Sequence, residues 1–132
     1  MQTRKWKLDT DYKYLVEWWK QYDFGTVPKE CLPPDGIVVL LDRPICAAGL
    51  YLCKGTKFGF MEWVVVDKKI GLKTAHNALN LCIEEIIQMA KDNNIKLLYT
   101  VTAQEALQKR YTKYHGMEIG EKSSMTFVKD LS

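Results

Sequence analysis

The stretch FMEWVVVDKKIGLKTAHNAL, Phe60 to Leu79, joins an apolar strand to the opening of a long helix through one glycine, Gly71. Past that glycine, apolar residues recur as Leu72, Ala75, Leu79, Cys82, Ile83, Ile86 and Ala90, the spacing of a helix's inner face, and Asn93-Asn94 stops the run. A helix that starts where a strand ends offers unpaired N–H groups and a positive dipole end, which attract an anion whatever the side chains are. Lys68, Lys69 and Lys73 place three cations within six residues there. The segment reads either as a phosphate cradle or as a solvated turn.

Working outward, TRKWKL near the N-terminus alternates polar and apolar residues, and Asp9 or Thr10 follows as a helix cap. DYKYLVEWWKQY spaces Tyr12, Leu15, Val16 and Trp19 as a helix, and DFGTVPKECLPPDG, with three prolines and two glycines, is a loop. IVVLL, ICAAGLYLC and KFGFMEWVVV form a three-strand meander. Beyond the long helix come a short, rather buried strand in IKLLYTV, a helix in AQEALQKRYTKY, and a closing hairpin of MEIG with SMTFVKD. The order is β-α-β-β-β-α-β-α-β-β, a mixed α/β sheet with short connections.

The chain has 132 residues and 47% hydrophobic composition, which predicts a single domain over 1–132 with an ample core. The sequence holds no long uncharged apolar run and no signal-peptide core, so a soluble, cytoplasmic protein without membrane contact is expected. Its four cysteines form no C-x-x-C pair, and Cys46, Cys53 and Cys82 lie in apolar runs, as buried thiols do. The net charge of +3 is spread along the chain, so no nucleic-acid partner is expected. His76 and His115 have no neighbours at metal-ligand spacing, so no metal site is expected either.

This element order, with two local patterns, resembles the GNAT superfamily of acyl-CoA-dependent N-acetyltransferases over nearly the whole chain. One pattern is QEALQKRYTKYHGMEIGE, where Gln104 stands for the family's usual Asn, Tyr111 for its tyrosine, and His115-Gly116-Met117 for the turn into the next strand. The other is FMEWVVVD, similar to the family's fourth strand with a carboxylate, Glu62, part way along. WWKQYDFGTVPKECLPPDG also resembles a stretch of small phage-type members. The family's pyrophosphate motif, Q/R-x-x-G-x-G/A, is degenerate. One register puts Gly71, Thr74 and His76 at its fixed positions, the other Lys68, Gly71 and Lys73, and neither satisfies it.

The resemblance implies acetyl-CoA as cosubstrate and direct transfer of its acetyl group to a primary amine, on a small molecule, peptide or protein. It implies CoA binding by Lys68, Lys69, Gly71, Leu72, Lys73, Thr74, Ala75 and His76, by Gln104, and by the backbone of Val64, Val65 and Val66 on a strand that splays from LLYTV. A neutral amine is needed for attack, and a lysine-like amine is mostly protonated at neutral pH. Glu62, alternating with Phe60 and Val64 on an otherwise apolar strand, is the candidate base, or a strand glutamate at a wet edge or in a salt bridge. Tyr111 is the candidate acid for the departing thiolate, or a core tyrosine sharing helical spacing with Leu107 and Tyr114. Of the adjacent Trp18 and Trp19, one is expected inside and the other near the surface or as a wall of the acceptor site. The alternative is a GNAT-fold module without catalysis that binds an acyl-CoA or a protein.

Overall fold

The fold was obtained as a computed structural model describing residues 1–132. The chain divides into two compact units, Met1–Val101 and Thr102–Ser132, each described by itself. The first contains β1 (Gln2–Lys5), α1 (Leu8–Gln21), a short 3-10 turn (Lys29–Cys31), β2 (Asp35–Leu40), β3 (Pro44–Leu52), β4 (Phe58–Val66), α2 (Leu72–Asp92) and β5 (Leu97–Tyr99). The five strands lie side by side in chain order, antiparallel from β1 to β4, with β5 parallel to β4. The parallel pairing follows from the α2 crossover, which returns the chain to the end of the sheet where β4 began.

Alternation along the strands gives each helix its face. Trp6, Leu15, Trp18, Trp19 and Leu32 bury against Val38, Ala47 and Val65, so α1 covers that side of the sheet. Ile37, Val39, Cys46, Ala48, Leu50 and Met61 point the other way and are buried under Ala78, Cys82, Ile83 and Ile86 of α2. The Trp6 indole lies so close over β2 that a Cβ at Gly36 would fall inside the ring, and its Nε1 donates to the Pro33 carbonyl at 3.2 Å. Gly36 therefore belongs to the strand, which begins at Asp35, two residues before the IVVLL run.

The start of α1 differs from expectation. Neither Asp9 nor Thr10 caps it; Lys7 occupies the cap position, and its N–H donates to Asp11 Oδ2 at 2.7 Å. Asp11 also takes both nitrogens of Arg4, at 2.7 and 2.9 Å, so one buried carboxylate ties β1 to the first turn of the helix. Cys46 and Cys82 are buried, Cys53 is half-buried and Cys31 exposed, all as free thiols. No helix is long and apolar enough to cross a membrane.

Three further expectations are corrected. Leu72 is not on the inner face of α2 but 91% exposed, as the first residue of the helix. β5 is not buried: Leu97 and Tyr99 are 59% and 41% exposed on a three-residue edge strand. In the second unit α3 (Glu105–His115) forms and ends at Gly116, whose φ of 63° is the left-handed conformation glycine adopts freely. No hairpin follows it. Residues 117–132 carry no strand, and Met125, Phe127 and Val128 are over 80% exposed, whereas a two-stranded hairpin needs an apolar face to bury before it gains stability.

Candidate active site

The centre of the site is a break in β4. Up to Glu62 the strand pairs with β3 in steady register, Phe60 opposite Tyr51 and Glu62 opposite Gly49; beyond it Val65 faces Ala47, leaving one extra residue on β4. Trp63 absorbs the extra residue with a φ of 61°, a left-handed conformation that costs a bulky side chain on the order of 1 kcal/mol or more. The bulge changes which residues share a face. Glu62 and Phe60 point to the α1 side as expected, but so does Val65, while Val64 and Val66 point to the α2 side. On its other edge β4 is paired only as far as Phe60, opposite Tyr99, and then runs on to Val66 without β5. The two strands separate there.

Glu62 stands at the point of separation. Its Oε1 accepts the Val101 N–H at 3.3 Å, across the gap from the chain just past β5. Burial pushes its carboxyl above the ordinary carboxylate range, and the Val101 N–H offsets only part of that. Beside it the Trp63 Nε1 donates to the Tyr51 hydroxyl at 2.8 Å, and that hydroxyl donates to the Cys31 carbonyl at 2.6 Å, tying the proline-rich loop to the bulge. Burial first, and the nearby Glu62 charge, push the Tyr51 phenol up despite the Trp63 N–H, so it stays a donor at neutral pH.

At the far end of β4 the turn into α2 is held from below. Asp67, 2% exposed, accepts the Lys69 N–H at 3.0 Å and the Gln21 amide at 2.9 Å, and meets Arg43 Nη2 at 2.8 Å. Burial works against its charge, but these partners together hold its carboxyl below the usual value. Gln21 also accepts the Lys68 N–H, at 2.7 Å. The N–H groups of Lys68 and Lys69 are thus spent inside the protein. Those opening α2 are not capped by any side chain: the cap residue, Gly71, has an ordinary φ of −64°, and the first helical bond runs from Ala75 N–H to Gly71 carbonyl at 2.9 Å. A Cβ built on Gly71 would meet nothing within 4 Å. An uncapped helix start, open above its glycine and flanked by the exposed Lys68, Lys69 and Lys73, presents unpaired N–H groups and positive charge to an anion.

Of the residues singled out in the sequence, Glu62, Val64, Val65 and Val66 lie on β4, Lys68, Lys69 and Gly71 in the turn that follows it, and Leu72, Lys73, Thr74, Ala75 and His76 at the opening of α2. Leu72 is exposed there, Thr74, Ala75 and His76 are half-buried, and His76 Nε2 meets the Asn80 amide at 3.2 Å. Trp18 and Trp19 are both buried, at 1% and 2% exposure, rather than one inside and one out. Trp19 nevertheless touches the site from behind, edge-on to Trp63 at 6.4 Å. Gln104 and Tyr111 belong to the second unit. Gln104 caps α3 with its backbone, its N–H held by Thr102 Oγ1 at 3.1 Å, and Tyr111 is buried on that helix with Leu107 one turn before it. Sequence reasoning missed Trp63, Tyr51, Asp67, Gln21 and Arg43. Only the polar Asp67, closing an apolar strand, left a trace that could have been followed.

No protein-family model and no curated protein matches this sequence. Solved structures do resemble it. The Rv2747 protein of Mycobacterium tuberculosis, in complex with CoA, superposes with a TM-score of 0.71 at 16% identity, over 96% of this chain and 76% of its own. Glucosamine-6-phosphate N-acetyltransferase of Arabidopsis thaliana gives 0.64 at 15% identity, over 99% and 98%. An aminoglycoside acetyltransferase from an uncultured soil metagenomic sample, in complex with sisomicin, gives 0.67 at 11%, over 99% and 96%. With its mixed five-stranded sheet, bulged fourth strand and three helices, the chain has the fold of the GNAT-type acetyltransferases.

Proposed function

We propose that this protein transfers the acetyl group of acetyl-CoA directly to a primary amine, both substrates being bound together. The observation that carries the reading is the gap where β4 leaves β5, with the half-buried Glu62 at its apex and an uncapped helix start at the end of the same strand. The CoA complex of a protein with this fold supports the cosubstrate.

In the reaction an amine nitrogen attacks the thioester carbonyl carbon, a C–N bond forms, and the C–S bond breaks. The amine arrives mostly as ammonium, so a proton must leave it first. Glu62, its carboxyl pushed up by burial, takes that proton directly or through one water. Backbone N–H groups of the Val64–Val66 segment, free of a β5 partner, hold the carbonyl oxygen as charge builds on it. As the C–S bond breaks the nitrogen gives up its second proton and the sulfur gains one; the family resemblance assigns that donor role to Tyr111 on α3. The opening turn of α2, with Lys68, Lys69 and Lys73 around it, takes the pyrophosphate, and the Asp67–Gln21–Arg43 network keeps that turn in shape. Trp63 and the Trp19 behind it contribute to the acceptor side.

The test is release of free thiol from acetyl-CoA across a panel of amines, with intact mass of the products. Amine-dependent thiol release with a gain of one acetyl group on the amine is expected. Binding of acetyl-CoA with no transfer to small amines, peptides or proteins would instead favour a non-catalytic acyl-CoA-binding module.

A further inference from the structure

Below Glu62, on the α1 face of β4 and β5, three rings make one surface. Phe58 and Phe60 meet edge to face with centroids 5.0 Å apart, and Tyr99 stands edge-on to Phe60 at 5.7 Å and tilted against Phe58 at 6.0 Å. The register produces this arrangement: Phe60 is paired with Tyr99 and Phe58 lies two residues earlier, so all three share a face. Tyr51, opposite Phe60 on β3, carries the surface across to Trp63 through its hydroxyl. Rings in such contact are ordinarily core. Here Phe58 and Phe60 are only half-buried and Tyr99 is 41% exposed, which marks a surface meant to be covered.

Glu62 is the next residue of that face, about 7 Å along the strand from Phe60. One carboxylate at the end of an aromatic surface complements one kind of occupant: a single ammonium joined to a flat apolar body. The charge meets Glu62, the rings attract the ammonium flank through their π faces, and the body displaces water from Phe58, Phe60 and Tyr99. A sugar phosphate would set an anion against ring faces and a carboxylate. A polyamine would strip water from a second charge with no carboxylate to receive it.

We infer that the acceptor is a primary amine on a short arm from an aromatic or similarly flat apolar group, lying on Phe58, Phe60 and Tyr99 with its nitrogen at Glu62. This rests on the acetyltransferase reading above, and its test keeps the two apart. The probes are 2-phenylethylamine and tryptamine against glucosamine 6-phosphate and spermidine, with Phe60→Leu and Tyr99→Leu, which keep apolar volume and remove a ring. Thiol release gives kcat/KM, and an NMR titration of the protein with 2-phenylethylammonium reads binding without turnover. The aryl amines should exceed both controls by about tenfold or more in kcat/KM, and each variant should lose several-fold, through KM for the amine and not for acetyl-CoA. Preference for glucosamine 6-phosphate or spermidine, or variants that leave the ranking unchanged, would overturn the inference while the acetyltransferase stands. If acetyl-CoA binds but no amine is acetylated, the enzyme reading falls and the titration decides alone. Saturable binding weakened by Tyr99→Leu and by Glu62→Gln upholds the acceptor surface, and absence of binding overturns it.

Discussion

Glu62 carries a cost that its neighbours do not remove: burial holds its carboxyl above the ordinary range, and a single N–H from Val101 compensates in part. A carboxyl whose pKa is higher folded than unfolded favours folding at low pH and loses that contribution as pH rises through the folded value, so at neutral pH its charge destabilises the protein. Glu62→Gln keeps the shape and the acceptor for Val101 but removes the charge. Its melting temperature at pH 7 should equal or exceed that of the wild type, while turnover falls by about 10²–10⁴-fold, the usual contribution of acid-base catalysis. The rate deficit should shrink as rising pH deprotonates the amine unaided. A variant that melts lower and turns over normally would make Glu62 a structural carboxylate. Tyr111→Phe keeps the buried ring and removes the donor, so kcat should fall by a comparable factor with acetyl-CoA affinity little changed, measured by steady-state kinetics and titration. The alternation of Phe60 with Glu62 was legible in the sequence. Trp63 was not, because a tryptophan in a run of strand-formers gives no sign of a positive φ, and that one dihedral decides that Val65 rather than Val64 shares the face of Glu62.

At the scale of the element, the β4–α2 connection keeps an open, uncapped helix start although its motif is degenerate. Pattern matching fails at every register because it looks for glycines where the backbone must approach phosphate. In the structure Gly71 has an ordinary φ and open space above it, so no left-handed residue is required. The shape is imposed instead by side chains distant in sequence, Gln21 from α1 and Arg43 from the β2–β3 turn, acting through the buried Asp67. No local reading could reach them. Gly71→Val should therefore fold normally, with its unliganded melting temperature within a degree or two of wild type, and weaken CoA binding by crowding the open helix start. Replacing Lys68, Lys69 and Lys73 together by Ala should weaken binding modestly and flatten its salt dependence, because exposed charges are screened and backbone donors less so. Equal affinity in all three proteins would reduce the segment to a turn. The start of α1 obeys a similar logic. Burial opposes the charge of Asp11, but Arg4 and the Lys7 N–H hold its carboxyl below the ordinary aspartate value of about 3.9. A depressed pKa stabilises above the unfolded value and is lost as pH falls through the folded one. Asp11→Asn should accordingly destabilise by roughly 1.5–3 kcal/mol at pH 7, the range for hydrogen bonds to charged groups, and the difference from wild type should close in acid below pH 4.

Over the whole molecule, α1, α2 and the strands β2 to β4 could be placed from periodicity and turn residues because their faces are buried, and burial is what writes a period into a sequence. The last segment shows the converse. SMTFVKD alternates as a strand does, but alternation records only that one face is suited to burial, and Phe127 and Val128 are 88% and 95% exposed. The molecule's response to acetyl-CoA follows from the same distinction between groups already satisfied and groups still waiting. The N–H groups of Lys68 and Lys69 are occupied in the free protein, so the proposed binding site draws on the opening turn of α2 and on the stretch of β4 that β5 does not pair. Both exist only in the folded state, and a ligand that binds only the folded state stabilises it by mass action. At about one hundred times its dissociation constant it adds roughly 2.7 kcal/mol, which should raise the melting temperature by several degrees for a chain of this length. The pyrophosphate should carry a distinct share. Acetyl-pantetheine, which lacks it, should give a smaller shift that salt leaves unchanged, whereas the shift with acetyl-CoA should decline as ionic strength rises. Equal shifts from the two compounds would remove the helix start from the binding site, and no shift from either at millimolar concentration would refute binding of an acyl-CoA altogether.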